Sequence, residues 1–197
     1  MIDTIICYDI ETSGFVAGRH EIIEIGAIVY DGVIGDTFEF SRLIKPKEPI
    51  SEKITELTGI DAKTFDKEGY VDLRQAVIDF KDLFEGRFLV VGHNLLDFDN
   101  KFLNTAFKSF GFPLLQDRQS WDTMLQMRAE IAKKKVDPFY LVQKDAKTFR
   151  TKQLVNLQAA AKHYKISKSC PHHRALPDAK NTFEIFKRQA RKANFRY

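Results

Sequence analysis

Residues 4–15 read TIICYDIETSGF, an apolar strand pattern that takes in two carboxylates before it ends. Along a β-strand, residues i and i+2 point to the same face. Asp9 and Glu11 therefore share a face with Ile5 and Cys7, while Ile6, Tyr8 and Ile10 take the other. Two acids about 6.6 Å apart along a strand repel each other unless a cation lies between them, supplied by lysine, by arginine or by a metal ion.

Two apolar runs follow, HEIIEIGAIVYDG (20–32) and VIGDTFEFSRLIKP (33–46), on either side of Asp31-Gly32, a dipeptide suited to a hairpin turn. The expectation is an antiparallel meander of three strands closed by Pro46 and Pro49. From Ser51 to Leu57 the pattern turns helical, with Gly59 as a stop signal. Residues 71–86, VDLRQAVIDFKDLFEG, space Leu73, Val77, Phe80 and Phe84 for one helix face and end at Gly86. A short strand, FLVV, leads into Gly92-His93-Asn94, and residues 97–110 form another amphipathic helix. Around Trp121 a short strand precedes a further helix, and residues 133–152 are an irregular excursion broken at Asp137-Pro138. Helices are expected over 153–164 and 177–192, the second opened by Pro177. QLVNL (153–157) falls within that periodicity and is read as core packing. Strands in a meander followed by alternating helices and strands describe a mixed α/β fold.

With 197 residues the expectation is a single domain over 1–197. No apolar run approaches the ~20 residues of a membrane span, and the N-terminus carries no leader pattern. Two cysteines, Cys7 in a core strand and Cys170 in a loop, make no disulfide framework. A soluble protein of the cytoplasm is expected, with no membrane partner. The charge of +4, from 31 basic and 27 acidic residues, is a mild bias. Its clusters, Lys133 to Lys135 and Lys187, Arg188, Arg191, Lys192 and Arg196, suit solvated helix faces and the negative end of a helix dipole.

The acids carry more information. On a wheel of 100° per residue starting at Phe98, the apolar residues Phe102, Leu103, Ala106, Phe107 and Phe110 fall between about 40° and 180°. Asp99, at about 100°, lies in the middle of that stripe, whereas Asp97 falls on the wet side as a surface or capping group. Asp178 lies in the first turn of the last helix, on the edge of the stripe made by Ala179, Phe183, Phe186 and Ala190, where the dipole favours a carboxylate. Four acids from three distant segments are costly to bury unpaired. A cation cluster resolves this, and all-oxygen ligation without cysteine suits Mg²⁺ or Mn²⁺. His173, just ahead of the last helix, is placed to accept a proton near neutral pH.

These residues resemble the motifs of the DEDD exonucleases in their histidine-bearing branch, a group that includes the proofreading epsilon subunit of bacterial DNA polymerase III and ribonuclease T. DIETSG matches the first motif. HNLLDFDNKF matches the second, with one residue more than usual before Phe98 and with Asp99 as the counterpart by its FDxxF context. HRALPDA matches the third, with His173 and Asp178 at the family spacing and His172 at the wrong offset. The resemblance spans residues 4–186. It implies a ribonuclease H-like fold with a mixed five-stranded sheet flanked by helices, and metal-dependent hydrolysis from a nucleic acid 3′ end to nucleoside 5′-monophosphates. It further implies two divalent ions held by Asp9, Glu11, Asp99 and Asp178, with His173 as proton acceptor. Phe15 follows the glycine of the first motif, where an apolar residue wedges or stacks against terminal bases; Thr12, His93 and Asn94 are the other candidates for substrate contact. The partners implied are single-stranded DNA or RNA 3′ ends, with or without a DNA polymerase subunit. A catalytically silent binding or scaffold module stays open beside the enzyme.

Overall fold

A computed structural model describes residues 2–84, 86–134, 155–166 and 173–197. Cys170, His172 and the excursion beyond Lys134 lie outside them. The chain forms a five-stranded sheet of order β3-β2-β1-β4-β5, from β1 (Thr4–Thr12), β2 (Ile22–Asp31), β3 (Asp36–Leu43), β4 (Phe88–Gly92) and β5 (Ser120–Asp122). β1 pairs antiparallel with β2, and β2 with β3; β1 pairs parallel with β4, and β4 with β5. This is the mixed sheet of the ribonuclease H-like fold. The helices are α1 (Glu52–Thr58), α2 (Ala62–Glu68), α3 (Leu73–Lys81), α4 (Asp99–Ser109), α5 (Thr123–Ile131), α6 (Leu157–His163) and α7 (Ala175–Lys192). Among the described residues no helix is long and apolar enough to cross a membrane.

Alternation along β1 sorts the two cores. Ile6, Tyr8 and Ile10 pack with Val77 and Phe80 of α3 and with Phe102, Leu103 and Phe107 of α4. Ile5 and Cys7 face the opposite layer, with Trp121 and with Phe183, Phe186 and Ala190 of α7. Fully burying each such side chain is worth about 1.5–3 kcal/mol, so slipping β1 by one residue would exchange both cores and is strongly disfavoured. Cys7 is buried, and its thiol lies 3.4 Å from the Ala179 carbonyl.

Three local expectations are corrected. Asp31-Gly32 is not a two-residue hairpin turn: residues 32–35 make the connection, closed by Gly35 N–H to Asp31 O at 2.8 Å. The Asp31 side chain accepts from Val33 N–H at 2.8 Å. Val33 and Ile34 thus sit at an exposed tip (84% and 71% exposed) and not in β3. The helix expected over 71–86 is α3 alone, begun by Asp72, which accepts from Gln75 N–H at 2.8 Å. Phe84 lies past its end and still packs edge-on to Phe80 and Phe88, which carries the apolar period beyond the helix. α2 was not anticipated; Asp61 and Thr64 start it with a reciprocal capping box. The expected stop at Gly59 is present, with φ 72° and its N–H on Thr55 O.

Candidate active site

β4 stops at Gly92 and pairs with β1 only as far as Cys7, so the end of β1 is open on that side. The gap lies at the carboxyl ends of two parallel strands, where α/β sheets commonly place ligands. Asp99, first residue of α4, reaches into it and accepts the Ile10 N–H at 3.1 Å. Next to Asp99, Asn100 accepts the buried Tyr8 hydroxyl and donates to Ser120 Oγ at 3.3 Å, fixing the start of α4 against β1 and β5. The residue extra to the second motif does not displace Asp99 from β1.

From the other layer α7 brings the third motif. Gly26 on β2 admits it: a Cβ there would lie 2.2 Å from Leu176 N and 2.4 Å from Ala175 C. The start of α7 rests directly on the sheet. Asp178 and His173 meet, with Nδ1 to Oδ2 at 3.3 Å, and the His173 N–H bonds to Leu57 O of α1 at 3.1 Å. Ligand atoms of Glu11, His173 and Asp178 lie within 4.8 Å of one another. Asp9, Glu11, Asp99, His173 and Asp178 line one cleft of about 200 Å³, with Thr12, Phe15, His93 and Asn94 and the apolar residues Ile54, Leu57, Phe98 and Leu157.

The electrostatics reflect the crowding. Burial, followed by the charges of Asp99 and Glu11, pushes Asp9 well above the usual carboxylate range. Burial, with Asp178 and Glu24 next, raises Glu11 to about 8. Asp99 is raised to about 8, chiefly by burial. Together with Asp178, these three carboxylates fit divalent cations, whose charge removes the repulsion and whose preference for oxygen donors matches the set. A pH dependence follows for the protein held in EDTA. Between about pH 4.5, where Glu11 ionises in an unfolded chain, and about 8, where it ionises when folded, the native state keeps protons that the unfolded state has released. Stability is therefore expected to fall as pH rises through that window, by several kcal/mol in all, and Mg²⁺ or Mn²⁺ should restore it. Thermal unfolding at pH 5 and pH 8, with and without metal, measures this; a flat or rising stability in EDTA would contradict it.

The proposed substrate contacts divide. Phe15 is 61% exposed on the rim. The Thr12 hydroxyl donates to Gly14 O at 2.6 Å and shapes the loop that carries Phe15. Asn94 takes a left-handed conformation, φ 66°. His93 borders the cleft, but its polar atoms are turned to structure: Nδ1 lies 2.9 Å from Thr123 Oγ1 and Nε2 2.8 Å from Val155 O. Burial lowers its pKa to about 4, so the ring is neutral. Nε2–H then donates to the carbonyl, while Nδ1 lies against the Thr123 hydroxyl, which also contacts Gly92 O at 3.0 Å. Leu157, read as core from its periodicity, lines the cleft while packing in part against the Tyr164 and Ile185 cluster. Asp97 stays on the surface with Lys101, 3.4 Å away, and the residue before the helix is Phe98.

Several contributors were missed. Asp122 is buried and accepts N–H groups of Asn94 (3.1 Å) and Leu96 (3.2 Å) in the second motif and of Met124 (3.0 Å) and Leu125 (3.3 Å) in α5. Those bonds hold down its pKa, which burial nonetheless raises to about 6. Glu24, directly across from Glu11 in the β1–β2 ladder, binds Arg174 and the start of α7. The available signal was the same as for Asp9: a carboxylate interrupting the run IIEIGAIV.

The mixed sheet, with acids from β1, α4 and α7 converging at its open end, narrows the class of fold to that of one known family. The chain belongs to the exonuclease family RNase T, whose profile matches residues 6–186. The PolC-type DNA polymerase III of Clostridium perfringens is 35% identical over 186 residues, which cover 94% of this chain and 11% of that protein. The chain thus spans about a tenth of that relative. Among solved structures, the nuclease domain of 3′hExo, a DEDDh family member bound to rAMP, superposes with a TM-score of 0.70. That match has 18% identity and covers 100% of this chain and 96% of that one. Escherichia coli exonuclease I in complex with a dT13 oligonucleotide gives 0.72 at 17% identity, covering 96% and 42%.

Proposed function

We propose that the chain is a metal-dependent 3′-to-5′ exonuclease that removes nucleotides from single-stranded or frayed DNA 3′ ends as nucleoside 5′-monophosphates, in replication proofreading or repair in the cytoplasm. The observation that carries this is the convergence of Asp9, Glu11, Asp99, Asp178 and His173 on one cleft. A binding module gains nothing from crowding four acids, two of them buried, into one cleft.

Asp9, Glu11, Asp99 and Asp178 would hold two Mg²⁺ or Mn²⁺ ions, which when bound supply positive charge at the phosphodiester and acidify an attacking water. β1 presents Asp9 and Glu11 as one rigid pair, and Asp99 is anchored to the same strand through Ile10 N–H. Asp178 faces Nδ1 of His173 and orients the ring, leaving Nε2 to take the proton of the nucleophile. That step is worth about 10²- to 10⁴-fold. The apolar wall of Ile54, Leu57, Phe98 and Leu157 suits a base of any identity.

Phe15 would stack on the terminal bases, worth about 1–3 kcal/mol each. Phe15→Ala, made in an Asp9→Asn background to prevent degradation, is expected to weaken single-strand binding roughly fivefold or more. The exposed position should leave unfolding temperature unchanged. Fluorescence anisotropy on a labelled oligonucleotide tests it, and equal affinity would remove Phe15 from the substrate path.

DNA is favoured by the likeness to PolC-type polymerases. RNA trimming is the second reading, favoured by the rAMP-bound structural relative. Incubation with 3′- and 5′-labelled DNA and RNA strands and a mismatched duplex, in Mg²⁺, Mn²⁺ or EDTA, separates them through the product ladders. No metal-dependent cleavage on any substrate would restore the silent scaffold.

A further inference from the structure

The third motif has to be brought to Glu11 from a different layer, and the contacts that do this converge on two residues. Glu24 on β2 is 1% exposed and stands opposite Glu11. Arg174 Nε donates to both of its carboxylate oxygens at 3.1 Å, Nη2 donates to Oε1 at 2.8 Å, and the Ala175 N–H donates to Oε2 at 2.9 Å. Arg174 is the residue between His173 and the first turn of α7, and its Nη2 also reaches Glu68 Oε2, the last residue of α2, at 2.9 Å. The clasp therefore ties α7 to the strand beside Glu11 at a planar, forked contact that only a guanidinium makes with a carboxylate. Just along β2, Gly26 lets the Ala175–Leu176 backbone settle onto the sheet.

We infer that Glu24 and Arg174 are positioning residues that set the separation between Glu11 and the His173–Asp178 pair, and with it the affinity of the cleft for divalent metal. This rests on the metal-binding reading above. Neither residue is among those lining the cleft; each acts through the third motif.

Charge and geometry predict opposite results for one substitution. Arg174 places a positive charge beside Glu11, so if it acted only by charge, Arg174→Gln would leave a more negative cleft and tighter metal binding. If it positions the third motif, Arg174→Gln loosens α7 and weakens binding, as removal of groups that orient metal ligands commonly does by about 10- to 100-fold. Arg174→Lys keeps the charge but loses the fork, and is expected to weaken binding to a smaller extent. It also serves if the glutamine variant does not fold.

Mn²⁺ titration of the whole protein without nucleic acid, followed by electron paramagnetic resonance, reads affinity directly, with near-ultraviolet circular dichroism as the check on folding. Weaker binding by folded Arg174→Gln, or by Arg174→Lys if the glutamine variant does not fold, supports the inference. Unchanged or tighter binding by that same folded variant overturns it. A parent protein that binds no Mn²⁺ would instead sink the metal reading itself.

Discussion

Asp9→Asn is expected to lower exonuclease turnover by at least about 10³-fold while leaving the protein folded and, without metal, more stable than the parent. The two halves share one cause. Asp9 is pressed on by burial and by Asp99, Glu11, Asp178 and Glu24, so its charge is costly unless a cation offsets it. An asparagine of the same shape removes that charge, and the gain should amount to about 1 kcal/mol or more, or roughly 2–4 °C in unfolding temperature for a chain of this size. The same substitution should cancel most of the stabilisation that Mg²⁺ or Mn²⁺ gives the parent, because binding to the native state stabilises only in proportion to affinity. Measuring turnover on a labelled strand, together with unfolding temperature in EDTA and in metal, checks all three. A variant that lost activity and stability together would point to Asp9 as a structural residue, and one that stayed active would remove it from the site.

His173→Ala is expected to lower turnover by about 10²- to 10⁴-fold with metal affinity largely kept. His173 belongs to the group of three that could ligate an ion, so activity alone does not separate a proton acceptor from a ligand. Mn²⁺ affinity does: loss of the acceptor leaves the four carboxylates in place, while loss of a ligand weakens binding. Full activity of His173→Ala beside an inactive His172→Ala would reverse the choice between the two histidines of the third motif.

The acids were legible because each breaks a local pattern. Asp9 and Glu11 interrupt a strand whose alternation sets their face, and Asp99 sits in the apolar stripe of a helix. Asp178 borders such a stripe in a first turn. Alternation and helical period are properties of the nearest few residues, so they survive without knowledge of the fold. The turn at Asp31-Gly32 was mis-sized because a suitable dipeptide and the exposed Val33 and Ile34 looked like strand continuation. α3 was overextended because Phe84 joins the same core without being helical.

Sequence alone was enough for the strand order of the meander, the two faces of β1 and the carboxylates and histidine that share the cleft. Tertiary structure decided how they are held. Glu24 finds Arg174 across 150 residues, Asp122 gathers the backbone of the second motif from β5, and His93 gives both ring nitrogens to Thr123 and Val155. A side chain's partner across the fold depends on loop closure and on how closely layers approach, as at Gly26. Neither leaves a period in the chain, whereas burial of a face does.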